Sequence, residues 1–180
     1  MTLRRSLFSA LGVSLVAGSA FAIGIPIHSF LMFPRPLSKV TSFTSSELAQ
    51  YGIEAEGFNI ASTAVSGNLR APIDSTCVVF SNSESEFTFD VPRSYVGISV
   101  ADADYGVDEG AQIVMAGFDV EGNLVAGVQS FLHPSNSLNE QNRSAVFLGA
   151  WSSTPIARIL IRSSVEQATI VDNLVFEEIP

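Results

Sequence analysis

At 180 residues, with a formal net charge of −9 and 47% hydrophobic residues, the chain is long enough for one domain with a substantial core. Such an acidic chain repels nucleic acid and anionic lipid, and no basic cluster after the N-terminal segment offsets that repulsion. Cys77 is the single cysteine, which excludes an intramolecular disulfide framework.

Arg4 and Arg5 precede an apolar run from Leu7 to Phe21, and Ala20-Phe21-Ala22 closes it with small residues at the two positions a signal peptidase reads. That order marks residues 1–22 as an N-terminal signal helix. The run also continues through Ile27, so an uncleaved anchor is the alternative; a spanning helix needs about 20 apolar residues. Either way the Arg pair stays on the cytoplasmic side and the rest is exported. The expected location is therefore secreted, periplasmic or cell surface, with membrane contact only through an uncut N-terminus. With Arg4 and Arg5 set aside, the net charge moves from −9 to −11.

Residues 23–39 read as a linker, because Pro26, Pro34 and Pro36 interrupt any regular element. From residue 40 to 180 the hydrophobic period is two, as in half-buried strands. Phe87, Phe89 and Val91 alternate with Thr88 and Asp90; Val96, Ile98 and Val100 alternate with Gly97 and Ser99. Ile159 and Ile161 are flanked by Arg158 and Arg162. Strands are expected near 40–45, 57–62, 76–81, 86–91, 95–101, 111–119, 124–131, 145–150, 156–162 and 168–177. A two-turn helix is expected over Ser45–Tyr51, with a serine cap and a stop at Gly52. Asp119-Val120-Glu121-Gly122-Asn123 reads as a hairpin turn with Gly122 at positive φ. About ten short strands with regular turns predict an all-β fold, an antiparallel β-sandwich of jelly-roll type.

Three segments carry a resemblance. They are Phe87-Thr88-Phe89-Asp90-Val91-Pro92 with Val96-Gly97-Ile98-Ser99-Val100; Gly117-Phe118-Asp119-Val120-Glu121-Gly122-Asn123-Leu124-Val125-Ala126; and Gly149-Ala150-Trp151-Ser152-Ser153-Thr154-Pro155-Ile156-Ala157-Arg158-Ile159 leading to Val171-Asp172-Asn173-Leu174-Val175-Phe176. Together they resemble exported bacterial β-sandwich surface proteins of the PEP-CTERM sorting class, whose domains look galactose-binding or jelly-roll-like. The resemblance implies an exported surface domain. The Pro-Glu-Pro signal, spanning helix and basic tail of that class do not follow Phe176 here, so sorting by that route is not expected.

Two sets of carboxylates are candidate calcium ligands. Asp102, Asp104, Asp108 and Glu109 crowd a Gly-containing loop, and hard oxygen donors in such a loop suit calcium. Glu54 and Glu56 fall on one side of an extended chain and form a second set with Asp172. The bland alternatives are a solvated acidic turn, and an Asp172 that accepts hydrogen bonds or pairs with Arg158 or Arg162. Sugar binding needs aromatic faces with polar groups nearby. Trp151, Tyr95 and Tyr105 are the candidate platforms, with Asn173 as a polar partner; a Trp151 that merely covers a core edge is the alternative. No catalytic set is visible: His28 and His133 sit in loop contexts, and no G-x-S-x-G elbow exists.

The reading is an exported non-enzymatic surface or matrix protein that binds extracellular polysaccharide or another cell-surface component and is stabilised by calcium. The rival is a structural adhesion module that binds protein neighbours or itself. A secreted acidic glycoside hydrolase is a third reading; it requires two carboxylates facing each other across a cleft.

Overall fold

The computed structural model describes residues 24–62, 72–73, 76–80, 84–102, 111–132, 145–164 and 169–178. In chain order they form β1 (Ile25–Ile27), a 3-10 turn (Phe30–Met32), β2 (Leu37–Val40), α1 (Ser45–Gln50), β3 (Ile53–Glu56), β4 (Phe58–Ser62), β5 (Thr76–Phe80), β6 (Glu84–Asp102), β7 (Ala111–Phe118), β8 (Leu124–Leu132), β9 (Val146–Ser163) and β10 (Thr169–Glu177). Every strand pair is antiparallel.

The fold is an all-β antiparallel sandwich of jelly-roll type, and two long strands make it so. β6 and β9 pair along most of their lengths, but the ladder is interrupted between Thr88 and Tyr95 on β6 and between Trp151 and Arg158 on β9, with Arg93↔Ile156 alone between them. Pro92 and Pro155 fall in these interruptions, where a missing N–H breaks no ladder bond. Across the interruption the inward side changes parity. Phe87 and Phe89 are buried before it on β6, and Val96, Ile98 and Val100 after it. On β9 the switch runs from Leu148 and Ala150 to Ile159 and Ile161.

Each long strand therefore serves two sheets. The first is built from β3, the N-terminal half of β6, the C-terminal half of β9, β7 and β8. The second is built from β4, β5, β10, the C-terminal half of β6, the N-terminal half of β9 and β1, with β2 beside β10. One core lies between them: Ile53, Phe87, Ile113, Met115, Val128, Ile159 and Ile161 from the first meet Val40, Ile98, Val100, Leu148, Val171, Leu174 and Phe176 from the second. The four strands expected at 86–91, 95–101, 145–150 and 156–162 are thus two continuous ones.

The segment read as a linker carries two paired strands. β1 lies along β9 with Ile25 opposite Trp151, and β2 lies along β10. Between them the chain crosses the outer face of the second sheet, where Phe33, Tyr95, Phe147 and Val175 form a separate buried cluster. The Phe33 ring meets Tyr95 and Phe147 edge-on, each at 5.4 Å between centroids. Gly97 lies beneath this stack; a Cβ there would stand 2.4 Å from the Phe147 ring. Tyr95 Oη donates to the Pro36 carbonyl at 2.7 Å and clamps the flap down.

The strand expected at 40–45 ends at Val40, and a loop leads from it to α1. Thr44, not a serine, caps the helix, its hydroxyl accepting from the Glu47 N–H at 3.3 Å. The Glu47 carboxylate accepts from the N–H groups of Thr41, Ser42 and Phe43 and from Ser42 Oγ. These bonds hold Phe43 at φ +50 with its ring buried. At the β7–β8 hairpin, Asp119 Oδ1 accepts from the N–H groups of Glu121 and Asn123, and Gly122 takes the expected positive φ, +82.

Candidate ligand-binding face

Of the four residues expected to bind sugar, Tyr95 and Trp151 are brought side by side, as cross-strand neighbours on β6 and β9. They do not form a platform. Tyr95 is buried beneath Phe33, its hydroxyl engaged with Pro36, while Trp151 is 39% exposed. Asn173 is fully buried; its side-chain amide donates to the Pro72 carbonyl at 2.9 Å. It adopts φ +52 where the β10–β6 register slips between Asp172 and Val175, a conformation asparagine tolerates better than most residues. The Asp-Asn pair of the last strand thus builds a bulge. Asp172 is buried with it, and its Oδ1 accepts from the Asn173 N–H at 2.6 Å.

The second calcium set is not assembled. Glu54 and Glu56 lie opposite Thr88 and Glu86, in the first sheet, whereas Asp172 lies opposite Ser99, in the second. Ser99 is 11 residues beyond Thr88 along β6 and past its interruption. Among the described residues no three His, Cys, Asp or Glu side chains stand together as a metal site. Asp102 closes β6, and Asp104, Tyr105, Asp108 and Glu109 lie outside the described residues.

The outer face of the first sheet brings other groups together. Three rows cross it. One runs Glu54, Thr88, Arg158, Phe118, Leu124; the next runs Glu56, Glu86, Leu160, Ala116, Gly127; the third runs Glu84, Arg162, Val114, Gln129. Glutamates crowd the β3 and β6 side, arginines form a ridge on β9, and small or apolar residues follow on β7 and β8. By side-chain size the middle row shrinks to Ala116 and Gly127 between Phe118 on one flank and Gln129 on the other, a shallow trough in which a Cβ at Gly127 would meet nothing within 4 Å. On one flank the Arg158 guanidinium lies over the Phe118 ring, 4.3 Å from its centroid. On the other, Gln112 Nε2 donates to Gln129 Oε1 at 3.3 Å.

Two ion pairs order the ridge. Arg158 Nη1 reaches Glu86 Oε2 at 2.7 Å, and Arg162 donates through Nε and Nη2 to Glu84 Oε2 at 3.0 and 2.6 Å. Their side chains are about one-third to one-half exposed, so each pair adds only about 0–1 kcal/mol of stability. Their main effect is to hold guanidinium donors and carboxylate acceptors at fixed spacing above rigid strands. β7 and β8 contain no acidic residue, so those strands set no second carboxylate across the trough from Glu84 and Glu86. The alternation Arg158-Ile159-Leu160-Ile161-Arg162 already put both arginines and Leu160 on one side of a strand. The neighbouring strands that complete the face are not written in that segment.

No family model and no curated protein matches the chain. Among solved structures, a DUF4465 family protein from Bacteroides caccae is similar over 87% of this chain and 94% of its own, at 13% identity and a TM-score of 0.47. An arabinose-bound α-L-arabinofuranosidase is similar over 76% of this chain, at 13% identity and a TM-score of 0.46; the chain spans 24% of that enzyme's length. The C-terminal family 6 carbohydrate-binding module of a marine laminarinase from Zobellia galactanivorans is similar over 79% of this chain and all of its own, at 14% identity and a TM-score of 0.43. At these values the likenesses assign neither ligand nor activity to this chain.

Proposed function

We propose that the protein is an exported, non-enzymatic β-sandwich that holds an extended polysaccharide on the outer face of its first sheet. The observation that carries this reading is the trough from Leu160 over Ala116 to Gly127, walled by Arg158–Phe118 on one side and Arg162 with Gln129 on the other. A pyranose ring has an apolar C–H face and an equatorial rim of hydroxyls. The floor suits the first, and the guanidinium, carboxylate and amide groups suit the second. A pyranose repeat is also similar in length to the spacing between strands, about 4.8 Å, so successive sugars would lie over successive strands. A stacking Trp or Tyr, expected for such a site, is replaced on this face by Phe118 under its guanidinium.

The test is a polysaccharide array probed with the native chain and with Gly127→Trp. The space above Gly127 is open, so the indole fits without disturbing the core but fills the trough. Binding by the native chain that the variant loses is the expected result. Failure of the native chain to bind any polysaccharide overturns the reading, and self-association through the same face would replace it with the adhesion module.

A further inference from the structure

The second sheet's outer face carries a different surface. The flap from Gly24 to Pro36 exposes Ile25 by 60%, Leu31 by 64% and Met32 by 78%, and Trp151 stands beside Ile25 in the adjoining strand. Solvent-facing apolar side chains this large normally mark a contact surface when they gather on one segment. The charge distribution singles out the same segment. No aspartate or glutamate precedes Glu47, although the chain holds 18 acidic residues; Arg35 lies within the flap and Lys39 just beyond it, on β2. Arg35 stacks its guanidinium on the Phe30 ring at 5.0 Å. The flap is thus an apolar surface with basic groups on an otherwise acidic molecule.

Where the preceding sequence leads decides what covers it. The Gly24 N–H donates to Val125 O at 2.9 Å, and β1 begins at the next residue. Ala22, the last residue of the signal-like segment, lies three residues before Ile25, and three residues span at most about 11 Å. β1 takes Ile25–Ile27 out of the apolar run, leaving Leu7–Ile23, 17 residues, a length at the short end of the range that crosses a bilayer. If residues 1–23 are retained, Ile25 and Trp151 are held at the lipid boundary, where tryptophan is enriched and basic side chains reach the headgroups. A second copy is the poorer occupant. Pro26, at the centre of β1, offers no N–H for edge-to-edge pairing.

We propose that residues 1–23 stay attached and that the flap, with Ile25, Leu31, Met32 and Trp151, rests in the interface of a zwitterionic lipid surface. The polysaccharide face lies on the opposite side of the sandwich and points away from the membrane. The two readings are independent, because one concerns the first sheet and the other the second.

Trp151 is the sole tryptophan, so its fluorescence reports on this surface alone. The full chain is reconstituted in phosphatidylcholine vesicles whose acyl chains are brominated either near the glycerol end or near the methyl end. The expected result is loss of emission with the shallow bromines, less loss with the deep ones, and protection from aqueous iodide. Leu31→Ser with Met32→Ser, both at exposed positions, should restore iodide access, with circular dichroism checking that the sandwich persists. Quenching by iodide but by neither brominated lipid overturns the proposal. So does protection that depends on protein concentration rather than on lipid, which would identify a second copy. Recovery of the exported native chain as a soluble product beginning at Ile23 overturns it as well.

Discussion

The Asn173 side-chain amide and the Pro72 carbonyl meet at 2.9 Å, although 101 residues separate them in the chain. Asn173 does two jobs at once. Its backbone takes φ +52 to form the β10 bulge, and its side chain holds the 72–73 segment over the outer face of the second sheet, where Ile73 packs with Ala101 and Ile170. Replacement should separate these roles. Asn173→Gly keeps the backbone conformation and loses the buried hydrogen bond, at a cost of about 1–2 kcal/mol. Asn173→Ala adds left-handed strain of about 1–2 kcal/mol. Urea unfolding should therefore rank the native chain above the glycine variant and the glycine variant above the alanine one.

Gly97 tests the flap from below. A methyl at this position meets the Phe147 ring at 2.4 Å and the Phe33 ring at 2.8 Å, so one of the two must move. Overpacking of this kind costs about 1–3 kcal/mol. Gly97→Ala should lower the thermal midpoint, and proteolysis should cut first within the flap, because Phe33 can yield more readily than a ring fixed in β9.

Much of this architecture was legible in the alternation of single strands. Phe87 with Phe89, and Val96 with Ile98 and Val100, correctly mark inward faces, and Asp119 to Asn123 encodes its own turn. What alternation cannot record is the partner. The parity change around Arg93 looks like a loop in sequence, yet it is a bend shared by two paired strands, stabilised where Arg93 donates to the carbonyls of Glu177 and Tyr51 and lies over Phe176. Residues 23–39 read as a linker because Pro26, Pro34 and Pro36 give the stretch the composition of one. The apolar groups that recruit this stretch, Tyr95, Phe147 and Val175, sit on the second sheet's outer side, which two-period reasoning assigns to solvent. The same blindness explains the sites. Asn173 and Asp172 are polar residues in an apolar strand, and both lie at a backbone bulge that period-two reasoning does not foresee. The outer face of the first sheet is assembled from five strands, and alternation within each strand gives its own residues, such as Arg158, Leu160 and Arg162, but not the neighbours beside them.

Glu47 should make part of the stability acid-sensitive. Burial raises its pKa, but the bonds from Ser42 Oγ and from the N–H groups of Thr41, Ser42 and Phe43 outweigh that and hold it below the usual carboxylate value of 4.5. The folded state therefore binds this proton less readily than the unfolded chain. Its contribution is complete above about pH 4.5 and is lost as pH falls through the lower folded value. Glu47→Gln should destabilise the protein at neutral pH by about 1 kcal/mol, a figure discounted for the partial exposure of the group. The gap between variant and native chain should close in acid, as followed by thermal unfolding from pH 7 downward.

The ion pairs on the outer face of the first sheet should contribute little to folding. A double-mutant cycle on Arg158→Gln and Glu86→Gln is expected to give a coupling of about 1 kcal/mol or less, given that both side chains are 34% exposed. Arg158→Ala loses in addition the stacking on Phe118, worth about 0.5–1 kcal/mol at such a site. Polysaccharide affinity should fall in both arginine variants while the unfolding midpoint scarcely moves. A coupling several times larger would show that these pairs serve the fold instead.

Tyr95 closes the argument about the flap, since its hydroxyl is the polar clamp on Pro36. Tyr95→Phe keeps the ring in its cluster with Phe33 and Phe147 and removes only this bond. Pro36 is exposed and water can take the phenol's place, so the cost is about 0.5–1.5 kcal/mol. The native phenol adds a pH dependence that the variant lacks. Burial raises its pKa above 10.0, and the negative charges of Glu177 and Glu178 push it the same way. Below pH 10 the neutral phenol contributes fully; above it the unfolded chain ionises first, and stability falls as pH rises towards the folded value. Between pH 9 and 12 the native chain should lose more stability than Tyr95→Phe. Ultraviolet titration of the native chain against Tyr95→Phe should assign to Tyr95 a phenol that ionises above the usual value of 10.0, with the flap becoming protease-sensitive as it does.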